Sequence, residues 1–517
     1  MHCTEIRAII KYMSKSDLFI LQNGSDIRGV AMDGVPGEKI TLTTEACLKI
    51  GAGFAQWLSI KTKKPVNELK IGIGRDSRLS GPLIEMAVVK GLIHSGAKVI
   101  RCGLCTTPAM FMSTVFEQTS YDGAIMITAS HLPFNRNGIK FFDKDGGVDH
   151  EDITMILEMS LEQDEKQISQ AITSDCEIFN LIDLYAEHLK KTICRQLDVT
   201  EESKPLSGLK IVVDSGNGAS GFFVDKILKP LGADTTGSQF LEPDGMFPNH
   251  IPNPENKDAM KSIQEATVKN KADLGLIFDT DVDRMGAVFS DGKEVNRDSL
   301  IALICAILAP NYPESTIVTD SVTSDRLTYF LEKELGLKHF RYMRGYKNVI
   351  NLQKELNESG TVCPLAMETS GHGALLENHY LDDGAYLAVK LITALAKAKK
   401  QGKTLESLIE KLPPLVEDTE LRMKLSGTEF EDYGKAIIRE FRERAAIKDY
   451  KMPRSYEGVR ISFNSEEVQG WILLRLSLHD PVMPLNIEGN RPGDLTKLKK
   501  IARELLTGFE CLDTSKL

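Results

Sequence analysis

A serine, a histidine and a lysine share one polar turn in Thr128-Ala129-Ser130-His131-Leu132-Pro133-Phe134-Asn135-Arg136-Asn137-Gly138-Ile139-Lys140. A serine hydroxyl is a weak nucleophile until a base or cation lies beside it, and His131 or Lys140 would supply either. The turn is therefore a candidate phosphoryl-transfer centre, although the same residues also suit a capped polar hairpin. A second landmark is Asp279-Thr280-Asp281-Val282-Asp283-Arg284. Carboxylates at alternate positions can converge on one hard cation, and magnesium favours a few carboxylates plus a phosphate oxygen over a full protein cage. Calcium of the EF-hand type is excluded, because the glycine and distal glutamate of that loop are missing. Glu368-Thr369-Ser370-Gly371-His372-Gly373 offers a carboxylate, hydroxyls and an imidazole suited to sugar hydroxyls. Gly24-Ser25-Asp26-Ile27-Arg28-Gly29, Arg344-Gly345-Tyr346-Lys347 and Arg475-Leu476-Ser477-Leu478-His479-Asp480-Pro481 add cations suited to an anion.

Strand and helix patterns place these loops. The apolar run 123–128 reads as a buried strand leading to Ser130, and 139–142 reads as another, which pins the turn at both ends. Upstream, Leu69–Gly74 reads as a strand, Pro82–His94 as a helix, Ala97–Cys102 as a strand and Pro108–Glu117 as a helix. This alternation predicts a mostly parallel sheet, with Ser130 at a strand's carboxyl end where ligands of such sheets collect. A long acidic helical stretch, 151–195, follows. The segment 209–221 repeats the outline of 69–81, which indicates a second, related unit whose later strand 274–278 ends at the aspartates. A third alternation runs through a strand at 315–319, a helix to about 334, strand 340–343, the basic loop 344–347 and strand 363–367. Pro413-Pro414 marks a linker. Beyond it the pattern predicts strand 418–425, helix 429–446, strands 456–463 and 471–478, and helix 494–509, a separate α+β domain.

Bulk properties narrow the classes. The 517 residues allow several domains, and the formal charge of -10 argues against a broad nucleic-acid or anionic-membrane surface. A sugar phosphate needs only a local basic cleft. The longest uncharged apolar run, 300–312, is too short for a bilayer span and reads as a buried helix. Nine cysteines form no framework, and the pair Cys102 and Cys105 has no second pair to complete a zinc site. An odd cysteine count without a secretory h-region fits the cytoplasm.

Taken in order, the loops resemble those of the α-D-phosphohexomutase family, the phosphoglucomutases and phosphomannomutases, over nearly the whole chain. The stretch 128–140 is similar to the family's phosphoserine loop T-A-S-H-N-P, with Leu132 for the asparagine; Asp279, Asp281, Asp283 and Arg284 match D-G-D-G-D-R, with Thr280 and Val282 for its glycines. Residues 367–372 match the sugar-reading loop G-E-x-S-G-H, with Met367 for its first glycine, and Lys347 matches a substrate-contacting lysine. The phosphate loop R-x-S-G-T-E-P departs most, carrying Leu478 for glycine and His479 for threonine.

The resemblance implies three related α/β domains with mostly parallel mixed sheets plus a C-terminal α+β domain, around a central cleft. Expected bounds are 1–200 for the phosphoserine loop, 201–297 for the metal loop, 298–412 for sugar binding and 413–517 for phosphate binding. It implies a mutase interconverting hexose 1-phosphate and hexose 6-phosphate, of glucose or mannose, with hexose 1,6-bisphosphate as intermediate and activator. Ser130 would be the phosphorylated nucleophile, with Lys140 or His131 as base. Mg2+ would be held by Asp279, Asp281, Asp283 and phospho-Ser130. Arg28, Arg284, Lys347, Glu368, Ser370 and His372 would bind the substrate, and Arg475, Ser477 and His479 phosphate. Partners would be small sugar phosphates, with no nucleic acid and no membrane, and the oligomeric state stays open. The altered 478–479 pair motivates one alternative, a hexose-1,6-bisphosphate synthase on the same fold; a non-catalytic sugar-phosphate sensor is the alternative from another class.

Overall fold

The structure, a computed structural model, describes residues 15–173, 176–426, 430–477 and 480–517. The chain divides into two compact units. One comprises the chain up to Lys191 with Val213–Ala259 and Ile277–Asp283; the other comprises Thr192–Val212, Met260–Leu276 and Arg284–Leu517.

The first unit is built on an eight-stranded sheet whose strands run in the order Gln22–Asn23, Asp26–Val30, Arg136–Asp143, Gly123–Ile127, Lys70–Arg75, Lys98–Leu104, Glu177–Ile178, with Gly146–Gly147 beside Arg136–Asp143. Lys70–Arg75 pairs in parallel with both neighbours, as the strand–helix alternation predicts. Arg136–Asp143 instead returns antiparallel to Gly123–Ile127, placing Lys140 opposite Met126. The sheet is therefore mixed at the edge that carries the serine turn. Helix Thr44–Thr62 opens on Thr43, whose side chain accepts from the Ala46 N–H, and buries Phe54 and Trp57. Phe54 stacks on Phe141 at 4.6 Å, tying this helix to the lysine strand. The helix meets Gly81–His94 at backbone contact: a Cβ on Gly51 would lie 2.3 Å from the Val88 carbonyl oxygen, and one on Gly91 2.2 Å from that of Leu48. The acidic helical stretch expected at 151–195 contains, among the described residues, the helices His150–Leu161, Glu165–Ile168 and Leu181–Leu197, with the short strand Glu177–Ile178 between the last two.

A four-stranded sheet has the order Glu294–Val295, Met285–Phe289, Leu274–Phe278, Ile211–Asp214. In the second unit, a five-stranded sheet runs Lys338–Arg341, Thr316–Thr319, Leu365–Met367, Gly373–Leu375, Leu381–Asp382. Of the apolar run at 300–312, residues 300–308 lie in the largely buried helix Arg297–Leu308, and 309–312 follow as turn. The strand expected at 340–343 is Lys338–Arg341, and the predicted basic loop is the start of helix Tyr346–Glu358, entered through Gly345 at φ +107°. After the linker, an antiparallel sheet runs Glu417–Lys424, Val482–Gly489, Gln469–Leu474, Val459–Asn464 and packs on Phe430–Ile447 and Asp494–Leu505 around Met423, Ile437, Phe441, Ile472 and Leu498. The α+β expectation holds. The strand predicted at 471–478 ends at Leu474, and Val482–Gly489, a central strand that carries Pro484, falls outside the expected strands. No helix among the described residues is long and apolar enough to cross a membrane.

Candidate active site

The first unit brings together the predicted phosphoryl-transfer residues. Strand Gly123–Ile127 delivers Thr128, Ala129 and then Ser130, which is 4 % exposed and sits at φ +51°. Its Oγ donates to Asp279 Oδ2 at 2.9 Å and lies 3.4 Å from His131 Nδ1. From the neighbouring strand, Lys140 Nζ donates to Asp283 Oδ2 at 2.6 Å and Asp281 Oδ2 at 3.3 Å. Arg28 joins the same edge, ion-paired to Asp26 at 2.9 Å, with its Nη1 donating to the Ala129 carbonyl at 3.5 Å. Gly138 permits this packing, since a Cβ there would lie 2.4 Å from the Ile27 carbonyl oxygen and 2.8 Å from that of Thr128.

Asp279, Asp281 and Asp283 are all buried, and one carboxylate oxygen of each lies within 4.8 Å of the others. Thr280 and Val282, which replace the glycines of the resembled motif, do not disperse them. Val282 adopts φ +69°, so the backbone keeps a glycine-like conformation at a β-branched residue. Three carboxylates out of water demand positive charge. Lys140 meets part of that demand, yet Asp281 Oδ1 is buried without a hydrogen-bond partner. The donor set thus fits a hard divalent cation. Thr107 holds Asp281 from behind: its Oγ1 donates to Asp281 Oδ2 and its N–H to the Asp281 carbonyl at 2.9 Å.

The second unit gathers the residues read as sugar-binding. Arg284 and His372 form an antiparallel bridge, and Gly371 at φ +93° allows the close approach, because a Cβ there would lie 2.7 Å from the Met285 carbonyl oxygen. His372 Nδ1 lies 2.9 Å from Ser370 Oγ and 3.6 Å from Glu368 Oε2, and its ring stacks on Tyr346. Glu368 also accepts the Gly345 N–H at 2.7 Å, which fixes the start of the helix whose first turn carries Lys347. Arg475 follows strand Gln469–Leu474, and burial pushes its guanidinium below the usual value while Glu457, 3.9 Å away, works against the shift. Glu457 accepts from Ser321 Oγ and from the Arg344 N–H as well, linking Arg475 to the basic segment before Lys347. Ser477 donates its N–H to the Val482 carbonyl. His479 and Leu478 lie outside the described residues.

Sequence reasoning missed Asp76, Arg78, Thr107 and Glu457. Arg75-Asp76-Ser77-Arg78 reads as an ordinary loop between strand and helix, and no spacing marks its second arginine as fully buried. Thr107 and Glu457 act at sequence separations of 174 and 113 residues, beyond any local pattern.

The mixed α/β fold with a buried serine against an acidic triad makes a candidate phosphotransferase site. Residues 20–168, 183–292 and 296–416 match, in order, the alpha/beta/alpha domains I, II and III of phosphoglucomutase/phosphomannomutase. The chain is 30% identical over 490 residues to the phosphomannomutase/phosphoglucomutase of Pseudomonas syringae pv. tomato, covering 93% of this chain and 95% of that one. It is 31% identical over 394 residues to the phosphoglucosamine mutase of Lactobacillus helveticus, covering 75% and 80%. A phosphoglucomutase/phosphomannomutase family protein from Burkholderia thailandensis shares the fold at TM-score 0.77 and 24% identity, over 96% of this chain and 98% of that one. The protein belongs to the phosphoglucomutase/phosphomannomutase family of phosphohexomutases.

Proposed function

We propose that the protein interconverts hexose 1-phosphate and hexose 6-phosphate, of glucose or mannose, through phospho-Ser130 and a hexose 1,6-bisphosphate. The observation that carries this reading is the buried Ser130 hydroxyl 2.9 Å from Asp279, within the three-aspartate cluster. In the first transfer the Ser130 Oγ–P bond breaks, the phosphorus bonds to the free hydroxyl oxygen of the bound monophosphate, that hydroxyl's proton passes to a protein base, and the departing Ser130 Oγ takes up a proton to become a hydroxyl. Lys140 is assigned that role, which requires its Nζ, an ammonium donor to Asp281 and Asp283 here, first to give up its proton; His131 is the other candidate. The bisphosphate then turns over, its other phosphoryl group returns to Ser130, and the isomer leaves. Mg2+ held by Asp279, Asp281, Asp283 and the Ser130 phosphate would offset charge on the transferring group. Arg28, Arg284, Lys347, Glu368, Ser370 and His372 are assigned to the substrate, with Glu368 and Ser370 on its sugar hydroxyls, and Arg475 and Ser477, with His479, to the phosphate that is not reacting. Hexose 1,6-bisphosphate added in trace would restore the phosphoenzyme when Ser130 has lost its group. Residues 1–200, 201–297, 298–412 and 413–517 are assigned, in turn, to the phosphoserine, the metal, the sugar and the distal phosphate. The reaction is placed in the cytoplasm.

A phosphorus NMR time course tests the reading, with Mg2+, glucose 1-phosphate and a trace of glucose 1,6-bisphosphate, run again with mannose 1-phosphate, beside Ser130→Ala. The expected result is conversion to the 6-phosphate only with Ser130 present. The 478–479 departure from the family motif favours one alternative, a bisphosphate synthase. Bisphosphate building up from a separate donor, without isomerisation, would establish the synthase and overturn the mutase.

A further inference from the structure

Ser130 must give up and regain a phosphoryl group in each turnover, so its backbone has to return to one geometry. That geometry is an unfavourable one, since φ +51° lies in the left-handed region that side chains disfavour. What holds it comes from a loop that no motif marks. Arg78 is fully buried and spreads its guanidinium over the carbonyls of the serine turn. Its Nη2 donates to the Ser130 carbonyl and, at 2.7 Å, to that of Leu132. Its Nη1 donates to the Pro133 carbonyl at 2.7 Å and the Arg136 carbonyl at 3.1 Å, while Nε donates to Asp76 Oδ2 at 3.2 Å.

Asp76 reaches the other side of the same residue. It accepts the Thr128 hydroxyl at 2.8 Å, and Thr128 Oγ1 in turn accepts the Ser130 N–H at 2.9 Å. Both backbone groups of Ser130 are thus tied to one buried ion pair, its C=O directly and its N–H through Thr128. Phe247 covers the guanidinium at 5.1 Å, and Gly245 lets the chain close over it, because a Cβ there would lie 2.5 Å from the Leu79 N. Arginine alone suits this position, because its planar fork addresses several oxygens in fixed directions, whereas a lysine offers three donors from one atom.

From this geometry we infer that Asp76 and Arg78 form a clamp that positions the nucleophile, acting through the backbone of Ser130 without touching substrate. The inference rests on Ser130 being the phosphorylated residue. Displacing a nucleophile by about 1 Å can cost on the order of 100-fold in rate. Arg78→Lys, which keeps the charge beside Asp76, should therefore lower kcat about 100-fold with KM within about twofold of wild type. Thr128→Val, which removes both the acceptor for the Ser130 N–H and the hydroxyl donated to Asp76, should lower kcat about tenfold. Both should displace the phosphoserine resonance in the phosphorus spectrum, which a general loss of stability would not do.

The experiment measures kcat, KM, the phosphoserine resonance and the thermal midpoint for wild type and both variants. A folded Arg78→Lys protein with kcat within about threefold of wild type and an unmoved resonance would overturn the clamp. If Arg78→Lys does not fold, Thr128→Val decides by the same two readouts. Loss of kcat in step with the unfolded fraction, with the resonance unmoved, would also overturn it. A wild type that turns over without any Ser130 phosphopeptide would instead overturn the proposed function, and the clamp with it, so the two failures are told apart.

Discussion

Replacing Glu488 by glutamine should stabilise the second unit at pH 8 and leave its stability almost unchanged at pH 4. Glu488 is 5 % exposed and lies opposite Trp471 in the C-terminal sheet. Burial pushes its carboxyl up from 4.5 to about 6; the Ser324 hydroxyl that donates to it opposes the shift, Asp298 adds to it, and Arg326 and Arg460 oppose it again. Between those values the folded chain keeps a proton that the unfolded chain has lost, so stability falls as pH rises through this window. A rise from 4.5 to about 6 corresponds to about 2 kcal/mol, absent below pH 4.5 and complete above about pH 6. Glutamine can accept from Ser324 without carrying charge. The assay is urea unfolding followed by Trp471 emission in a Trp57→Phe background, since the chain has two tryptophans. The stability gap between Glu488→Gln and its parent should open from near zero at pH 4 to about 2 kcal/mol at pH 8. A gap that is constant with pH, or that opens in the other direction, would refute the argument.

Thr107→Val, which deprives Asp281 of its hydroxyl donor, should weaken Mg2+ binding about 10- to 100-fold by calorimetry, and chelation of the metal should abolish turnover reversibly. Val282→Gly relieves a left-handed valine, so it should cost about 1–2 kcal/mol less stability than Val213→Gly, which alters an equally buried strand residue. Equal costs in denaturant unfolding would show that the metal loop is not strained. Arg475→Lys gives up a charged fork suited to phosphate, a loss of about 1.5–3 kcal/mol or about 10- to 150-fold in KM. Phosphorylation of Ser130 by hexose bisphosphate at saturation should survive that change, and an unaltered KM would remove Arg475 from the phosphate grip.

Much of the site was legible because its chemistry is concentrated in short loops after strands. Ser130, His131 and Lys140 lie within eleven residues, and the three aspartates within five, so their convergence needs only a strand end and a turn. Helices with clear stops were also legible; Gly81–His94 lies within a residue of its expected start and ends where expected. Errors arose where local signals pointed the wrong way. Val482–Gly489 carries a proline in a central strand, and Tyr346–Glu358 begins in a segment whose basic residues read as loop.

By itself, then, the sequence determined the candidate reactive groups, the α/β and α+β classes and the order of loops along the chain, because each depends on residue type and short-range period. Only the tertiary structure decided how those groups are held. The antiparallel return of Arg136–Asp143 sets Lys140 against Asp281 and Asp283, and Thr107 reaches Asp281 across 174 residues. Arg78, indistinguishable in sequence from a solvated loop arginine, is fully buried because four carbonyls of the serine turn and the Asp76 carboxylate compensate its charge. Such compensation is a property of three-dimensional neighbours, and neighbours far apart in the chain leave no period or motif by which to read it.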